Sequence, residues 1–339
     1  MDIAVSTFTA DDTEAAERAY EIESAWLAVD VPDFPPVCRQ AFFAGLSHPW
    51  PGYQQHLALA YLAGKPVGFL RAKLPEVDNT DNVDVDIAVL PQHRRRGVGR
   101  ALFEHAVRLA RAQGRKRLFG MSVAALPGGT PRPEAGRAFA TALGAKLALV
   151  DVRRRLDVTR IDEAALDRLL AEARPRAGGY SLVCWQGPTP SEYLDDVAYL
   201  ESRLIEDAPM GDLEWEPERM DAVRIRDIEA IREARGRRAY HVGMRHDDSG
   251  RLVAWTFLDF GATSPWHAFQ QITLVEPNHR GHRLGMIIKV ENLRYAITHE
   301  PELRAIDTWN AAVNDHMVSI NEAMGFRPVD GWDNWQLTL

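Results

Sequence analysis

A basic turn with two glycines, residues 94–100, is the part of the sequence best suited to bind a charged ligand. Alternating apolar residues from Val83 to Val89 predict a strand before the turn, and apolar residues at helical spacing predict a helix after it. The glycines therefore lie at a helix N-terminus, where unpaired N–H groups and the helix dipole favour an anion. We predict a site for a phosphate-bearing cofactor, with an ordinary strand–turn–helix junction and a solvated basic turn as the alternative. The predicted binding residues are Val89, Arg94, Arg95, Arg96, Gly97, Val98, Gly99 and Arg100.

A second copy of this turn lies 186 positions downstream, since Arg280 aligns on Arg94. The hairpin turn that begins at Gly250 aligns on the one at Gly64 with the same offset, and two independent features with one offset indicate a duplicated domain. Arg283 replaces Gly97, which puts binding by the second turn in doubt unless the φ of this residue is negative. The predicted binding residues of the second copy are Val275, Arg280, Gly281, His282, Arg283, Leu284 and Gly285.

The order of predicted elements sets the fold class and the domains. A strand, two helices, a hairpin, a strand, the basic turn, a helix, a strand, a helix and a final strand follow one another in the first half. This order predicts an α/β (α+β) fold in two copies. We predict an N-terminal domain over residues 1–160, a charged helical connector over 161–177 and a C-terminal domain over 178–339.

Composition excludes several classes of protein. The 339 residues carry a net charge of -8, which argues against a general nucleic-acid binder. No apolar run approaches the roughly 20 residues that span a membrane, and no basic-then-apolar leader opens the sequence, so we predict a cytoplasmic protein without a membrane partner. The two cysteines match no metal or redox spacing, and no metal is predicted.

The motif Arg94-x-x-Gly97-x-Gly99, between a strand and an amphipathic helix, resembles the acyl-CoA pyrophosphate loop of the GNAT superfamily of N-acetyltransferases. The resemblance covers both copies, so the chain resembles a tandem GNAT protein. The second copy, with Asn310 and Asn314 after it, is similar to a two-domain group common in actinobacteria; mycothiol synthase is a more distant tandem relative.

The resemblance implies two tandem GNAT-like domains, each with a mixed, mostly antiparallel sheet flanked by helices. It implies acetyl-CoA as co-substrate, with main-chain N–H groups from about Arg95 to Arg100 on the pyrophosphate and Val89 beside the pantetheine arm. Asn310 joins the predicted cofactor-binding residues of the second half. The chemistry would be direct attack of a neutral amine on the thioester, which needs a proton acceptor for the ammonium group.

The sequence departs from the family pattern at the general acid. Many GNAT enzymes carry an Asn after the fifth strand, an Ala three residues on and a Tyr seven residues on. The second half has Asn314 and Met317, but Asn321 stands where the Tyr would be. The first half has none of the three; its corresponding residues are Pro133, Gly136 and Ala140. Asn314 and Asn321 remain candidates for the catalytic framework, and the general acid is open.

Asp84 and Asp86 are the candidate bases. They share one face of the strand that precedes the first turn, and two carboxylates there would attract a cationic amine and relay its proton. The alternative is that this face is simply exposed to solvent. In the second half His267 is a conceivable base, although a lone histidine beside an aromatic residue is more often structural. An acidic run over residues 206–216 would select a cationic substrate or form a solvated loop, and Trp309 and Trp335 are candidates to face the substrate.

These features together predict an acetyl-CoA-dependent N-acetyltransferase whose acceptor is a small-molecule amine, acting as a monomer or homodimer. Two alternatives stay open. The protein could be a non-catalytic acyl-CoA-binding or regulatory protein, because neither half keeps the tyrosine. Alternatively, one domain is active and the other is structural. The acceptor itself is not indicated, because the fold and the loop concern only the acyl donor.

Overall fold

The computed structural model describes residues 3–339, so residues 1 and 2 of the predicted N-terminal domain lie outside the described range. The chain forms two compact units. Unit 1 comprises Met1–Asp151, Met210–Glu216 and Asp330–Leu339, and unit 2 comprises Val152–Pro209 and Pro217–Val329. Each unit thus takes segments from both halves of the sequence, whereas the predicted ranges of 1–160, 161–177 and 178–339 follow chain order.

The elements up to residue 157 alternate strands and helices. A single 3-10 turn, Pro91–His93, links the fourth strand to the basic turn. In chain order they are β1 (Ile3–Phe8), α1 (Thr13–Asp30), α2 (Arg39–Ser47), β2 (Tyr53–Leu62), β3 (Lys65–Pro75), β4 (Asn82–Val89), α3 (Val98–Ala112), β5 (Arg117–Ala124), α4 (Ala135–Ala142) and β6 (Lys146–Asp157).

The later elements repeat this order after a helix that falls within the predicted connector. The helices that follow the two basic turns begin at Val98 and Leu284, which keeps the offset of 186. The elements are α5 (Glu163–Ala173), β7 (Tyr180–Gln186), α6 (Leu194–Ser202), α7 (Leu204–Asp207), α8 (Ala222–Ala234), β8 (Arg238–His246), β9 (Leu252–Phe260), β10 (His267–Val275), α9 (Leu284–His299), β11 (Ala305–Ala311), α10 (Asp315–Ala323) and β12 (Arg327–Thr338).

The sheet of unit 1 is mixed and mostly antiparallel. Strands β1, β2, β3 and β4 pair antiparallel in sequence order, and β4 pairs parallel with β5. Residues Gly331–Thr338 of β12 then pair antiparallel with Arg117–Ala124 of β5. Unit 1 is therefore completed by a strand from the end of the second repeat.

The sheet of unit 2 has the same plan. Strands β7, β8, β9 and β10 pair antiparallel, β10 pairs parallel with β11, and β6 lies next to β11. The N–H of Val158, just after β6, donates to the carbonyl of Arg304 at 2.8 Å. The predicted fold class is confirmed in both units.

Helices cover both faces of the unit 1 sheet. Helix α3 buries a residue every turn, Val98, Leu102 and Ala106 among them, in one apolar cluster with β3 and β4. Helix α1 buries Ala16 and Ile22 on the opposite face, in a cluster that includes α2, β2 and β3. This division matters because β4 presents alternate side chains to the two faces. No helix among residues 3–339 is both long and apolar enough to cross a membrane.

Lys289 is a buried amine in the core of unit 2. Its residue is 1% exposed, and its Nζ has no hydrogen-bond partner among the described residues. The Nζ lies 5.2 Å from the ring centre of Phe326. Burial lowers the pKa of Lys289 to about 7. The folded unit therefore favours the neutral amine, whereas the unfolded chain keeps a pKa of about 10.4.

We expect Lys289→Met to stabilise the protein, and to do so more at pH 7 than at pH 9.5. Between these two pKa values the unfolded chain binds more protons than the folded one, so wild-type stability rises with pH by up to ~1.4 kcal/mol per unit. The methionine variant lacks this dependence. Denaturant unfolding at both pH values measures it, with the exposed Lys65→Met as the control. Parallel pH dependences in wild type and K289M would contradict the prediction.

Candidate active site

Strands β4 and β5 run side by side for only three residue pairs. Asn82, Val83 and Asp84 pair with Arg117, Leu118 and Phe119, and the register ends there. The two strands diverge after this pairing, at a point called the fork. A Cβ on Gly120 would lie 3.2 Å from the carbonyl oxygen of Val85, so the absence of a side chain permits the close approach of the two strands there. Beyond the fork, β5 no longer pairs with β4, and the main-chain groups on this edge of β4 as far as Val89 become available to a ligand.

A groove of about 320 Å³ begins at the basic turn, and residues of α1, α3 and α4 line it. Gly97 precedes α3 with φ +88°, and no side chain caps this helix, in contrast to α1, which Asp12 caps. The first intrahelical bond is donated by the Ala101 N–H to the Gly97 carbonyl at 3.0 Å, so the preceding N–H groups have no intrahelical acceptor. The exposed side chains of Arg95 and Arg100 add positive charge. Unpaired N–H groups and positive charge therefore meet at this turn, which stays the predicted anion site.

A smaller apolar cavity of about 150 Å³ continues the groove between α3 and α4. Phe103 of α3 and Phe139 of α4 line it, with ring centres 6.3 Å apart. At its far end the Nε1 of Trp335 donates to the Oγ of Ser122 at 2.9 Å. The predicted cleft residue Trp335 therefore does line a cavity, and β12 supplies it.

A third cavity of about 210 Å³, the acidic cavity, lies on the face of α1. It shares Ile87 and Ser122 with the apolar cavity, so the two adjoin at the fork of β4 and β5. The groove, the apolar cavity and the acidic cavity thus adjoin one another, and each shares lining residues with the next. The polar and aromatic residues that line the acidic cavity are Glu23, Trp26, Phe69, Arg71, Asp86, Ser122 and Trp332.

Asp84 and Asp86 lie on the face of α1, as their spacing predicts. The Nζ of Lys73 on β3 bridges them, at 2.9 Å from Asp84 and 2.8 Å from Asp86. Burial raises the pKa of Asp84. Burial also acts to raise the pKa of Asp86, but the charges of Lys73 and Arg71 outweigh it and lower the value. Asp86 lines the acidic cavity, and Asp84 mainly holds Lys73.

The two basic turns have the same backbone with glycine and arginine exchanged. In unit 1, Arg95 has φ +62° and Gly97 has φ +88°; in unit 2, Gly281 has φ +86° and Arg283 has φ +57°. The condition of a negative φ for Arg283 is thus not met. An arginine instead adopts the left-handed conformation, at a cost of about 1–2 kcal/mol.

Arg94 and Arg280 hold the turns in place. Arg94 lies 2.8 Å from Asp30 at the end of α1, and its Nε donates to the Val89 carbonyl at 3.4 Å. Arg280 lies 2.7 Å from Asp207 at the end of α7, and its Nε donates to the Val275 carbonyl at 3.2 Å. Both guanidinium groups are engaged within the protein, so a bound anion would rely on the main chain and the other arginines.

The face of unit 2 that corresponds to the acidic cavity contains a packed aromatic core. His241, 2% exposed, stacks between Trp185 at 4.9 Å and Phe257 at 5.0 Å, and accepts a hydrogen bond from Trp255 Nε1 at 3.1 Å. Burial lowers the pKa of His241 to about 3, so the ring is neutral. At the offset of 186, Phe257 replaces Arg71 and Ile272 replaces Asp86, and both belong to this core.

The amide side chains predicted for the second site bond within unit 2. Asn314 caps α10 by accepting the Met317 N–H at 3.2 Å. Asn321, fully buried, donates to the Oδ1 of Asn310 at 2.6 Å. These hydrogen bonds stabilise the local structure of unit 2. The catalytic or binding roles of the three residues stay predictions.

His267 and one residue of the acidic run make ion pairs within the protein, and their proposed roles stay predictions. His267 is 1% exposed, and its Nε2 lies 2.9 Å from Asp307. Burial acts to raise the pKa of Asp307, but hydrogen bonds from Arg155 and His267 and nearby arginine charges lower it well below its usual range. In the acidic run, Glu214 pairs with Arg117 of unit 1 at 2.6 Å, so this carboxylate is already neutralised. Trp309 packs at 6.0 Å from Phe269.

Sequence reasoning missed Glu23, Arg71, Lys73 and Ser122. Lys73 pairs with Asp84 across β3 and β4, and a lysine on β3 facing the acidic side of β4 is a signal that strand alternation could have supplied. Glu23 gives no such signal, because its place depends on how α1 packs on the sheet. No cluster of three or more acidic, histidine or cysteine side chains suited to a metal occurs within residues 3–339.

Unit 1 thus has a mixed sheet that forks at its parallel pair, with an uncapped helix N-terminus beside the fork. The profile of the Acetyltransferase (GNAT) family matches residues 16–125. The solved structure of a tandem GNAT protein from the clavulanic acid biosynthesis pathway is similar at 34% identity and TM-score 0.83, over 99% of this chain and 98% of that one. The chain therefore belongs to the GNAT acetyltransferase family, and it has the tandem form.

Two further structures share the fold at low identity. A glucosamine N-acetyltransferase region of a fungal multi-domain β-N-acetylglucosaminidase has 13% identity and TM-score 0.67, over 99% of this chain and 38% of that one. A GCN5-related N-acetyltransferase from Sphaerobacter thermophilus has 12% identity and TM-score 0.64, over 99% and 95%. No curated protein sequence matches the chain.

We expect Arg283→Gly to stabilise the protein by up to ~1 kcal/mol, because it relieves a left-handed arginine at some cost in backbone entropy. Gly281→Ala should destabilise the protein by about 1 kcal/mol, because it places a side chain on a left-handed residue. A Cβ at this position meets nothing within 4 Å, so a steric clash does not contribute. Denaturant unfolding of both variants measures the two changes. A loss of stability in R283G would show that the arginine side chain outweighs its strain.

Proposed function

We propose that unit 1 transfers the acetyl group of acetyl-CoA to the amine of a small molecule by direct attack. The observation that carries this proposal is the series of adjoining cavities from the uncapped N-terminus of α3, past the fork of β4 and β5, to a cavity with two carboxylates. A donor on one face of the sheet and an acceptor on the other would meet at the fork.

The donor side of unit 1 fits the diphosphate and the thin arm of a coenzyme A thioester. The N–H groups at the start of α3 and its dipole would hold the diphosphate, with Arg95, Arg96 and Arg100 as counter-charges. The apolar walls of Phe103 and Phe139 would enclose the arm. The co-substrate supplies an activated acyl carbon, and the unpaired edge of β4 offers N–H groups to its carbonyl oxygen.

The acceptor side must bind an ammonium group and remove a proton. Asp86, 44% exposed at its side chain and paired with Lys73, keeps a carboxylate at the edge of the acidic cavity. None of the described residues lining the three cavities is a tyrosine, and Ala140 occupies the position where family members carry one. Water or the Ser122 hydroxyl would then protonate the leaving sulfur.

A structural role for unit 2 is the second candidate, and the packed core around His241 favours it. The positions of Arg71 and Asp86 are occupied there by Phe257 and Ile272, so these two charged residues of the acidic cavity have apolar counterparts in unit 2. We propose one active unit and one structural unit, with a small-molecule amine as partner, no nucleic acid or membrane, and a monomer or homodimer as the working form.

We expect Gly99→Glu to weaken acetyl-CoA binding more than tenfold and to abolish transfer, because it places a carboxylate in the anion site and a long side chain beside Phe139. Gly285→Glu is the matched variant in unit 2 and should change both by less than about twofold. Calorimetry with acetyl-CoA and thiol release with a panel of amines measure the two effects, and circular dichroism checks folding.

Comparable losses in the two folded variants would contradict the division into an active and a structural unit. Measurable acetyl-CoA binding by the wild-type protein, without transfer to any amine and without thioester hydrolysis, would instead favour the non-catalytic acyl-CoA-binding protein.

A further inference from the structure

We propose that Glu23 is the catalytic base of unit 1, and that the acidic cavity selects an acceptor with a single primary ammonium group on an apolar or aromatic body. This inference rests on the proposed acetyl transfer in unit 1. It goes beyond it by assigning the proton acceptor to α1 and by defining the class of acceptor.

Glu23 reaches the acidic cavity from α1. Its carboxylate lines the cavity with the side chain 25% exposed, so it can meet a ligand without being open to bulk solvent. Its ion pair with Arg71 is long, at 3.4 Å, and the Arg71 guanidinium also lies 5.4 Å from the ring centres of Phe42 and Phe69. A weakly paired carboxylate can exchange a proton more readily than one held by a short ion pair.

The two carboxylates that line the acidic cavity differ in what neutralises them. The charged groups that face Glu23 are Arg71 and Lys73 from β3 and Asp86 from β4. Burial raises the pKa of Glu23; the charge of Arg71 opposes this and the charge of Asp86 reinforces it. The pKa of Asp86 is lowered instead, because Lys73 holds it at 2.8 Å. Asp86 therefore stays ionised and can bind the ammonium group, whereas Glu23 can accept its proton.

The walls of the cavity define the body of the acceptor. Trp26 and Phe69 line one part, and Trp332, whose Nε1 donates to Asp330 at 2.9 Å, lines another. Two carboxylates and one guanidinium leave one net negative charge in the lining, which matches one ammonium group. A carboxylate on the acceptor, next to its amine, would be repelled by Asp86.

The reaction balances with these groups. The Glu23 carboxylate accepts one proton from the ammonium group and passes it to solvent. The freed nitrogen forms a bond to the acyl carbon as the carbon–sulfur bond breaks. The second proton lost by the nitrogen accompanies the leaving sulfur, which becomes a thiol, and no oxidant or metal is required.

The kinetic test compares wild type, Glu23→Gln and Asp86→Asn with phenethylamine and acetyl-CoA. We expect E23Q to lower kcat by about 100-fold or more at pH 7 and to leave the KM for acetyl-CoA unchanged. The rate of E23Q should rise at higher pH, because more of the amine is then in its free form. Glu23→Asp should recover part of the rate. We expect D86N to raise the KM for the amine about tenfold with a smaller effect on kcat. Glu21→Gln, on the exposed side of α1, is the control.

A binding test without acetyl-CoA examines the cavity alone. Because Trp26 and Trp332 line it, their fluorescence should report phenethylamine, and phenylalanine should bind at least tenfold more weakly because it carries an added carboxylate. Titration of the free protein by carbon-detected NMR should place the Glu23 pKa above the ordinary glutamate value, with the signal absent in E23Q.

The outcomes separate the two proposals. A wild-type protein that neither acetylates any amine nor hydrolyses acetyl-CoA overturns the proposed function. An active wild type whose rate and pH profile survive Glu23→Gln overturns the role of Glu23. Equal binding of phenylalanine and phenethylamine, or preference for a polyamine such as spermidine, overturns the acceptor class. If E23Q is unfolded by circular dichroism, the E23D rate and the NMR titration decide the role of Glu23.

Discussion

The short parallel pairing of β4 with β5 is the constraint on which the rest of unit 1 depends. Three residue pairs hold the strands together, and beyond them the sheet opens. The opening removes hydrogen-bond partners from the main chain, which is costly unless a ligand or water restores them. It also joins the two faces of the sheet, so that a basic turn on one side and carboxylates on the other can act on the same atoms.

Both units have this geometry, but their faces opposite the basic turns differ in composition. β10 and β11 also pair over only three residues, and both basic turns place two left-handed residues at the same positions. Unit 2, however, has stacked rings around His241 where unit 1 has a cavity with Arg71 and Asp86. The backbone of a loop can thus be retained, even with an arginine in a left-handed conformation, after the opposite face has become a core. Loop geometry alone is a weak guide to which unit reacts.

The sequence predicted what is local and missed what depends on packing. The basic turn, the start of α3 and the second copy follow from spacing and periodicity, and the aspartates fall on the predicted face because strands alternate. The left-handed φ of Arg283 could not be read from an arginine, which carries no conformational signal of its own. Glu23 lies far along the chain from Asp86, and only the docking of α1 on β3 and β4 brings them to one cavity. The sequence also did not show that β12 completes unit 1. The offset between the two repeats is the same whether β12 pairs within unit 1 or within unit 2.

That last strand ties the assembly of unit 1 to the order in which the chain is made. A chain emerging from the ribosome presents β5 with one edge unpaired until residues 330–339 follow. By then the first basic turn and α1 have long been synthesised. Trp335, which bonds to Ser122 in the cleft, arrives with them. The N-terminal segment can therefore collapse early, but its cleft is finished last. An open strand edge persists during that interval, and such edges invite pairing with other chains.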